Sequence, residues 1–145
     1  EKPFKDAEKG QLKITYQIRD PKDGLFFFKP TKSEPTIPLT VWSQGEAITN
    51  RFWIPCLDNP GQRQSSELIA TVAEGFEVIS NGKLISKKAN PDKTVTFHWK
   101  QEKDHVSYLI TLVVGKFDVV EEDWKGKPVQ YFVPPGYKKD VARTF

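Results

Sequence analysis

Hydrophobic and polar residues alternate with a period of two along most of the chain. The segment "LKITYQI" at residues 12–18 shows the pattern, because Leu12, Ile14, Tyr16 and Ile18 share one face. Polar side chains occupy the opposite face, which predicts a half-buried β-strand. The longer stretch "ELIATVAEGFEVISNGKLIS" predicts a strand, an interruption at Gly75 and then a hairpin. Its turn would be Asn81-Gly82, because both residues tolerate a positive φ.

Three further segments show strand patterns. In "TVTFHWK" the alternation turns Val95, Phe97 and Trp99 inward. The run "SYLITLVVGKFDVV" at residues 107–120 predicts a central strand that is buried on both faces and bends at Gly115. The segment "PVQYFVPPG" predicts a last strand that ends at its prolines.

The segments between these runs hold most of the 11 prolines and nine glycines. Residues 29–38, "KPTKSEPTIP", predict a proline-rich surface loop, and no amphipathic helical pattern precedes Lys138. The sequence therefore predicts an all-β, antiparallel domain, built as a β-sandwich or a strongly twisted sheet.

Composition narrows the classes of function. A chain of 145 residues fits one domain, and its net charge of +3 is too small to indicate a nucleic-acid or membrane surface. One cysteine excludes an internal disulfide and leaves the compartment open. The chain contains no methionine and ends in "YKKDVARTF", which reads as the beginning of a helix. We therefore expect a piece of a longer protein.

The sequence gives little support for a catalytic or metal-binding site within this chain. A nucleophilic Cys56 would need a histidine base, but His98 lies on the polar face of a strand and His105 in a loop, so a packing role is favoured. Cys-x-x-Cys and His-x-x-x-His pairs are absent. The acidic run at residues 121–123 is typical of a solvated connection.

Two groups of residues suggest a binding surface. Aromatic side chains could form a stacking platform for sugars or bases, or could pack in the core and at a domain interface; they are Phe26, Phe27, Phe28, Trp42, Trp53, Trp99 and Trp124. Three consecutive phenylalanines cannot all point inward. On an extended segment, Gln44 and Glu46 would point to the same side. An amide and a carboxylate suit an ammonium group beside a carbonyl, although the spacing alone favours a solvated pair at a strand end.

The region around these two residues resembles a motif of the aminopeptidase N family of zinc metallopeptidases. Family members carry Thr-Gln-x-Glu-Ala, an arginine, and Phe-Pro-Cys-x-Asp-x-Pro. This chain has "SQGEA" at residues 43–47, then Arg51, then "IPCLDNP" at residues 54–60. The segments "GQLKITYQI", "GLFFF", "VISNGKL", "YLITLVVGKF" and "PVQYFVPPG" are similar to successive strands of that family's N-terminal domain.

The resemblance implies a saddle-shaped antiparallel β domain, over residues 1–137, that packs against a zinc-containing catalytic domain. Residues 138–145 would begin the helical linker to that domain. By position, Glu46 would anchor the free α-amino group of a peptide substrate and Gln44 would orient its first residue. Residues 51, 55, 56, 58 and 60 would shape the turn that presents them.

The family's zinc motif, His-Glu-x-x-His, is absent from this sequence. We therefore expect zinc to bind outside this chain and the chain alone to be inactive. The segment "RFWIPC" is also similar to a non-catalytic branch of the family that includes a subunit of the transcription machinery. A protein-interaction scaffold of the same fold and a carbohydrate-binding β-sandwich remain alternatives.

Overall fold

The computed structural model describes residues 9–144, and the secondary structure of this part is almost entirely β. Its strands are β1 (Leu25–Phe28), β2 (Thr40–Ser43), β3 (Arg63–Ala73), β4 (Glu77–Ser80), β5 (Lys83–Ala89), β6 (Thr94–Val106), β7 (Leu112–Gly115), β8 (Asp118–Trp124) and β9 (Lys127–Val133). Short 3₁₀ helices span Asn50–Phe52, Ser107–Leu109 and Lys138–Asp140, and a helical turn, α1, covers Val141–Thr144.

These strands form three sheets, and every pairing is antiparallel. Sheet A has the order β1-β2-β7-β4, sheet B the order β3-β6-β5, and sheet C is the hairpin β8-β9. The prediction of an all-β antiparallel domain is confirmed. Antiparallel strands, unlike parallel strands, need no crossover helix to connect them.

The core lies between sheets A and B. Val78 of sheet A packs against Val95, Phe97 and Trp99 of sheet B, and Phe97 is only 1% exposed. The indole Nε1 of Trp99 donates a hydrogen bond of 3.0 Å to the carbonyl of Val78, so the largest core side chain leaves no unpaired donor. The predicted inward face of β6 is therefore confirmed.

The strand predicted at residues 12–18 is wrong for this structure. These residues have no strand assignment, and the side chains of Leu12 and Ile14 are 86% and 50% exposed. Alternation shows that a segment can present one apolar face, but a strand exists only where a neighbour supplies backbone hydrogen bonds. No hydrogen bond joins residues 12–18 to another described residue.

The predicted hairpin at Asn81-Gly82 is also wrong. Gly82 does adopt the positive φ of 81°, but β4 pairs with β7 and β5 pairs with β6. The turn therefore carries the chain from sheet A to sheet B. The Asn81 side chain holds this corner by accepting from Thr111 N at 2.7 Å and donating to Leu109 O at 2.8 Å.

The long strand predicted over residues 107–120 is divided. The 3₁₀ helix Ser107–Leu109 precedes β7, and β7 ends at Gly115, where the sequence predicts the bend. A Cβ at Gly115 would lie 2.6 Å from the Phe117 ring, so the ring packs directly over this residue. The chain leaves sheet A here because β8 pairs with β9 instead.

The remaining predictions for the later chain fit the structure. The last strand, β9, ends at Val133 directly before Pro134, and residues 29–38 contain no strand or helix. Helical structure begins at Lys138. No helix among residues 9–144 has the length and apolar character needed to cross a bilayer.

Candidate functional site

Gln44 and Glu46 lie on the loop that follows β2, and both residues are exposed. The strand ends at Ser43, so the extended segment assumed from the sequence stops before these two residues. The chain then turns over residues 46–49, and the peptide bond between Glu46 and Ala47 is cis. The structure thus places both side chains on a loop at the end of sheet A, with Glu46 at the start of its turn. We call residues 44–49 the β2 loop.

Hydrogen bonds hold the backbone of the β2 loop at both ends. Gln44 N donates to Gly24 O at 3.0 Å, and Thr49 N donates to Gly45 O at 3.0 Å. The Thr49 hydroxyl donates to Gln44 O at 2.5 Å. Three bonds within or across a six-residue turn leave its backbone little conformational freedom, while the Gln44 and Glu46 side chains remain in solvent.

Glycines allow this tight packing. Gly45, between the two candidate residues, is buried, and a Cβ there would lie 2.5 Å from both the Asn50 amide nitrogen and the Tyr108 carbonyl oxygen. Gly24 has a φ of +78°, and a Cβ there would lie 2.0 Å from Thr49 O. The motif does not predict a part for either glycine in the site, although a glycine between Gln44 and Glu46 is a signal for a close backbone approach at Gly45.

Asn50 directly follows the β2 loop and supports it from the protein interior. It is completely buried, and its amide nitrogen donates to Ser107 O at 2.6 Å and to Ile110 O at 3.1 Å. Its amide oxygen accepts from the Trp53 indole at 2.7 Å. Both amide protons and the amide oxygen are therefore used, which makes Asn50 a satisfied polar hub between the loop and the connection from β6 to β7.

Asp58 forms the second support. Its side chain is 1% exposed and accepts from the Ser107 hydroxyl at 2.8 Å and from Arg51 N at 3.1 Å. The Arg51 guanidinium lies 3.5 Å from the same carboxylate and donates to Asp58 O at 2.9 Å. These contacts give Arg51 and Asp58 a structural part, consistent with the turn-shaping part that the sequence resemblance implied for them.

Glu46 is not engaged by this network. Among residues 9–144 it has no ion pair or side-chain hydrogen bond, and the neighbouring Arg51 is held by Asp58 instead. An exposed carboxylate on a fixed backbone can accept hydrogen bonds from an incoming cation without first losing an internal partner. This arrangement leaves the charge of Glu46 available to a ligand.

Cys56 lies beside the same network and is half-buried. Burial raises the pKa of the thiol, the Asp58 carboxylate raises it further, and Arg51 opposes both effects. A raised pKa keeps the sulfur protonated near neutral pH, whereas a nucleophilic cysteine needs the thiolate. The packing role favoured by the sequence is consistent with this environment.

The candidate aromatic residues do not form one platform. Trp53 and Trp99 are buried, at 6% and 9% exposure. The Trp42 ring instead stacks on Phe28 at 5.8 Å between centroids and contacts Phe26 at 4.9 Å. Phe27 is 60% exposed, which confirms that one of the three consecutive phenylalanines points outward.

The acidic run at residues 121–123 lies on the hairpin of sheet C. Glu121 accepts from the Gln130 amide at 2.7 Å, and Asp123 caps the turn by accepting from Gly126 N at 3.0 Å. Within residues 9–144, the structure brings together no group of three histidine, cysteine, aspartate or glutamate side chains that could hold a metal ion.

Comparison with known proteins gives the family. The family described as Peptidase M1 N-terminal domain matches residues 1–109. Aminopeptidase B from Rattus norvegicus is 27% identical over 114 residues, which cover 79% of this chain and 17% of that protein. Leucyl aminopeptidase from Saccharolobus solfataricus is 29% identical over 96 residues, which cover 66% of this chain and 12% of that protein.

A different kind of protein is also similar. Transcription initiation factor TFIID subunit 2 from Gallus gallus is 26% identical over 127 residues, covering 86% of this chain and 11% of that protein. The chain thus spans less than a fifth of the length of these relatives. The family match covers the β2 loop, the Asn50 and Asp58 supports, and strands β1 to β6, and the chain therefore belongs to the peptidase M1 family through its N-terminal domain.

Proposed function

We propose that this chain is the N-terminal β domain of a zinc-dependent aminopeptidase, in which it helps to bind the free α-amino group of a peptide substrate. Glu46 pairs with the ammonium group and Gln44 orients the first substrate residue. The observation that supports this proposal is the exposed Glu46 carboxylate, which has no partner among residues 9–144. Hydrogen bonds with Gly24 and Thr49 hold the backbone of its loop, and Gly45 packs closely against Asn50.

The physical basis is the difference between a charged and a blocked peptide terminus. An ammonium group forms charge-assisted hydrogen bonds with a carboxylate, and these strengthen when a docked catalytic domain excludes water. An acylated terminus has no positive charge and would leave the carboxylate desolvated and unpaired. That loss discriminates far more strongly than a missing methylene group in a side-chain pocket.

Zinc and the chemical step belong to the catalytic domain in this proposal. The described residues offer no ligand set for zinc, so the metal does not fit within this part of the chain. Zinc in peptidases polarises the scissile carbonyl and lowers the pKa of bound water. The isolated chain contributes substrate binding alone and is inactive by itself.

The test is a pair of substitutions in the parent enzyme, Glu46→Gln and Glu74→Gln. Glu74 is a matched control because it is also an exposed glutamate on a turn. Losing a desolvated charge pair costs about 2 to 5 kcal/mol, so Glu46→Gln should lower kcat/KM by roughly 30-fold to 4000-fold on peptides with a free amino terminus. The control should retain kcat/KM. Equal values for the two variants would reject the assignment of Glu46.

A second candidate is a protein-interaction scaffold that has no peptidase activity. The similarity to TFIID subunit 2 over 86% of the chain favours it, together with the exposed aromatic pair Phe28 and Trp42. Zinc content of the purified parent separates the two candidates. One tightly bound zinc per chain supports the aminopeptidase, whereas a metal-free parent that cannot hydrolyse aminoacyl substrates supports the scaffold.

A further inference from the structure

The chain contains four asparagines, and they differ in how readily each can react with the residue that follows it. Asparagine is chemically labile, because the backbone nitrogen of the next residue can attack its side-chain carbonyl carbon. Asn59 and Asn90 precede prolines, whose nitrogens carry no hydrogen. Asn50 is completely buried, and both atoms of its amide are bonded. Asn81 precedes Gly82, whose nitrogen is the least hindered because glycine has no Cβ.

The corner between sheets A and B requires both residues of this pair. Gly82 has a φ of +81°, and a Cβ there would lie 2.0 Å from the carbonyl oxygen of Lys100, so a larger residue does not fit. The Asn81 side chain accepts from Thr111 N at 2.7 Å and donates to Leu109 O at 2.8 Å, which uses its amide oxygen and its amide nitrogen together. The reactive pair is therefore a structural feature of the corner.

The hydrogen bonds of Asn81 also oppose the reaction in the folded chain. Cyclisation brings Cγ of Asn81 onto the nitrogen of Gly82, and the side chain must release both partners before it can make that movement. Both bonds end on residues 107–111, which join β6 to β7 and which we call the β6–β7 connection. Asn50 donates to two other carbonyl groups of the same connection. The reaction at Asn81 thus depends on local opening of the β6–β7 connection.

We propose that Asn81 is a deamidation site of this chain and that opening of the β6–β7 connection sets the rate of the reaction. The nitrogen of Gly82 forms a bond to Cγ of Asn81 and gives up its proton, and the side-chain nitrogen leaves as ammonia. Water then opens the resulting five-membered succinimide. Cleavage at the former side-chain carbonyl gives aspartate, and cleavage at the main-chain carbonyl gives isoaspartate. The sequence of steps consumes one water and needs no oxidant or reductant.

Both products bind the β6–β7 connection less well than asparagine does. Aspartate keeps an oxygen that can accept from Thr111 N, but it has no N–H for Leu109 O and places a negative charge beside that carbonyl. Isoaspartate lengthens the main chain by one carbon and moves the side group away from both partners. Because Asn50 supports the β2 loop through the same connection, deamidation weakens that support irreversibly.

Peptide mapping by mass spectrometry on the full chain tests the site. Trypsin cleaves after Arg63 and Lys83, so the peptide of residues 64–83 carries Asn81 as its only asparagine. The chain is incubated at mildly alkaline pH, folded in one sample and unfolded by urea in the other. Deamidation should occur first at Asn81 in both samples, and it should be at least about tenfold slower in the folded chain, because opening must precede reaction.

Two variants separate local opening from global unfolding. Asn50→Ala removes hydrogen bonds to the β6–β7 connection, whereas Phe97→Ala removes a core side chain and leaves those hydrogen bonds in place. Each deamidation rate is divided by the unfolded fraction obtained from urea unfolding of the same variant. The resulting ratio should be at least about threefold higher for Asn50→Ala. If either variant does not fold, Asn50→Ser and Phe97→Leu replace the pair with the same expectation.

A direct substitution measures the effect of the aspartate product. Asn81→Asp removes the N–H that Leu109 O accepts. Asn59→Asp is the matched control, because the side chain of Asn59 only accepts a hydrogen bond, from Gly61 N. Asn81→Asp should lower the urea midpoint by at least about 0.5 M more than the control does.

Four results would overturn the proposal. Reaction first at another asparagine would refute the assignment of Asn81. Equal rates in the folded and unfolded chains would show that its hydrogen bonds do not restrain the side chain. Equal rate ratios for the Asn50 and Phe97 variants would show that global unfolding, rather than the β6–β7 connection, controls the reaction. Equal urea midpoints for Asn81→Asp and Asn59→Asp would show that the product does not weaken the corner.

Discussion

Replacement of Asn50 by alanine removes the polar hub under the β2 loop. In the folded chain the Asn50 side chain donates to the carbonyls of Ser107 and Ile110 and accepts from the Trp53 indole. Alanine leaves the two carbonyl groups and the indole N–H without this hydrogen-bond partner. Because Asn50 is 0% exposed and Trp53 only 6%, water cannot easily replace the lost amide.

The expected loss of stability follows from the three polar groups that lose their hydrogen-bond partner. A buried donor or acceptor that loses its partner costs about 1 to 3 kcal/mol. The bond to Ile110 is only partly buried, so its carbonyl recovers some hydration, whereas those of Ser107 and Trp53 are buried. We therefore expect Asn50→Ala to lower the free energy of unfolding by about 3 to 5 kcal/mol. This is a large part of the roughly 5 to 15 kcal/mol typical of a domain.

Urea unfolding followed by tryptophan fluorescence measures this change. Asn59→Ala is the matched control, because Asn59 is exposed and its amide oxygen only accepts from Gly61 N at 2.8 Å within an exposed turn. The control should cost less than about 1 kcal/mol. If the two variants differ by less than about 1 kcal/mol, the view of Asn50 as an energetically coupled hub is wrong.

Three further predictions concern the same part of the fold and the core. Gly24→Ala should destabilise the chain by at least about 2 kcal/mol more than Gly126→Ala in the same urea assay, because both glycines have a positive φ but only Gly24 faces an obstructing backbone. Cys56 should react with iodoacetamide more slowly than free cysteine at pH 8, because its pKa is raised. Alkylation at the rate of free cysteine would contradict the raised pKa of Cys56. The raised pKa also means that folding stability should fall as pH rises from the pKa of the unfolded thiol through the pKa of the folded thiol. Phe97→Ala should cost about 3 to 5 kcal/mol in urea unfolding, and a value under about 1 kcal/mol would show that Phe97 is not central to the core.

The alternation of side chains predicted the elements that pack in the core. Val95, Phe97 and Trp99 are inward as expected, because a strand between two neighbours turns every second residue to one face. Alternation does not determine which strands pair, and this is why Asn81-Gly82 suggested a hairpin. The true partners of β4 and β5 are β7 and β6, and both choices depend on contacts with residues that follow later in the chain.

The candidate site was partly predictable. The motif around Gln44 and Glu46 identified the loop and indicated that Arg51 and Asp58 are structural, and both residues do join the supporting network. The sequence does not predict Asn50 as the hub, because a lone asparagine on a turn usually faces solvent. Its burial depends on carbonyl groups 57 and 60 residues away, which no local pattern reveals.

The separation between Asn50 and its partners has a consequence for protein synthesis. Ribosomal translation proceeds from the amino terminus, so the β2 loop emerges well before Ser107 and Ile110 are made. Until those carbonyls leave the exit tunnel, the side-chain N–H groups of Asn50 lack the two acceptors that they have in the folded chain. The loop that presents Gln44 and Glu46 therefore acquires its final shape late, and a nascent chain that stalls before residue 110 exposes an incomplete site.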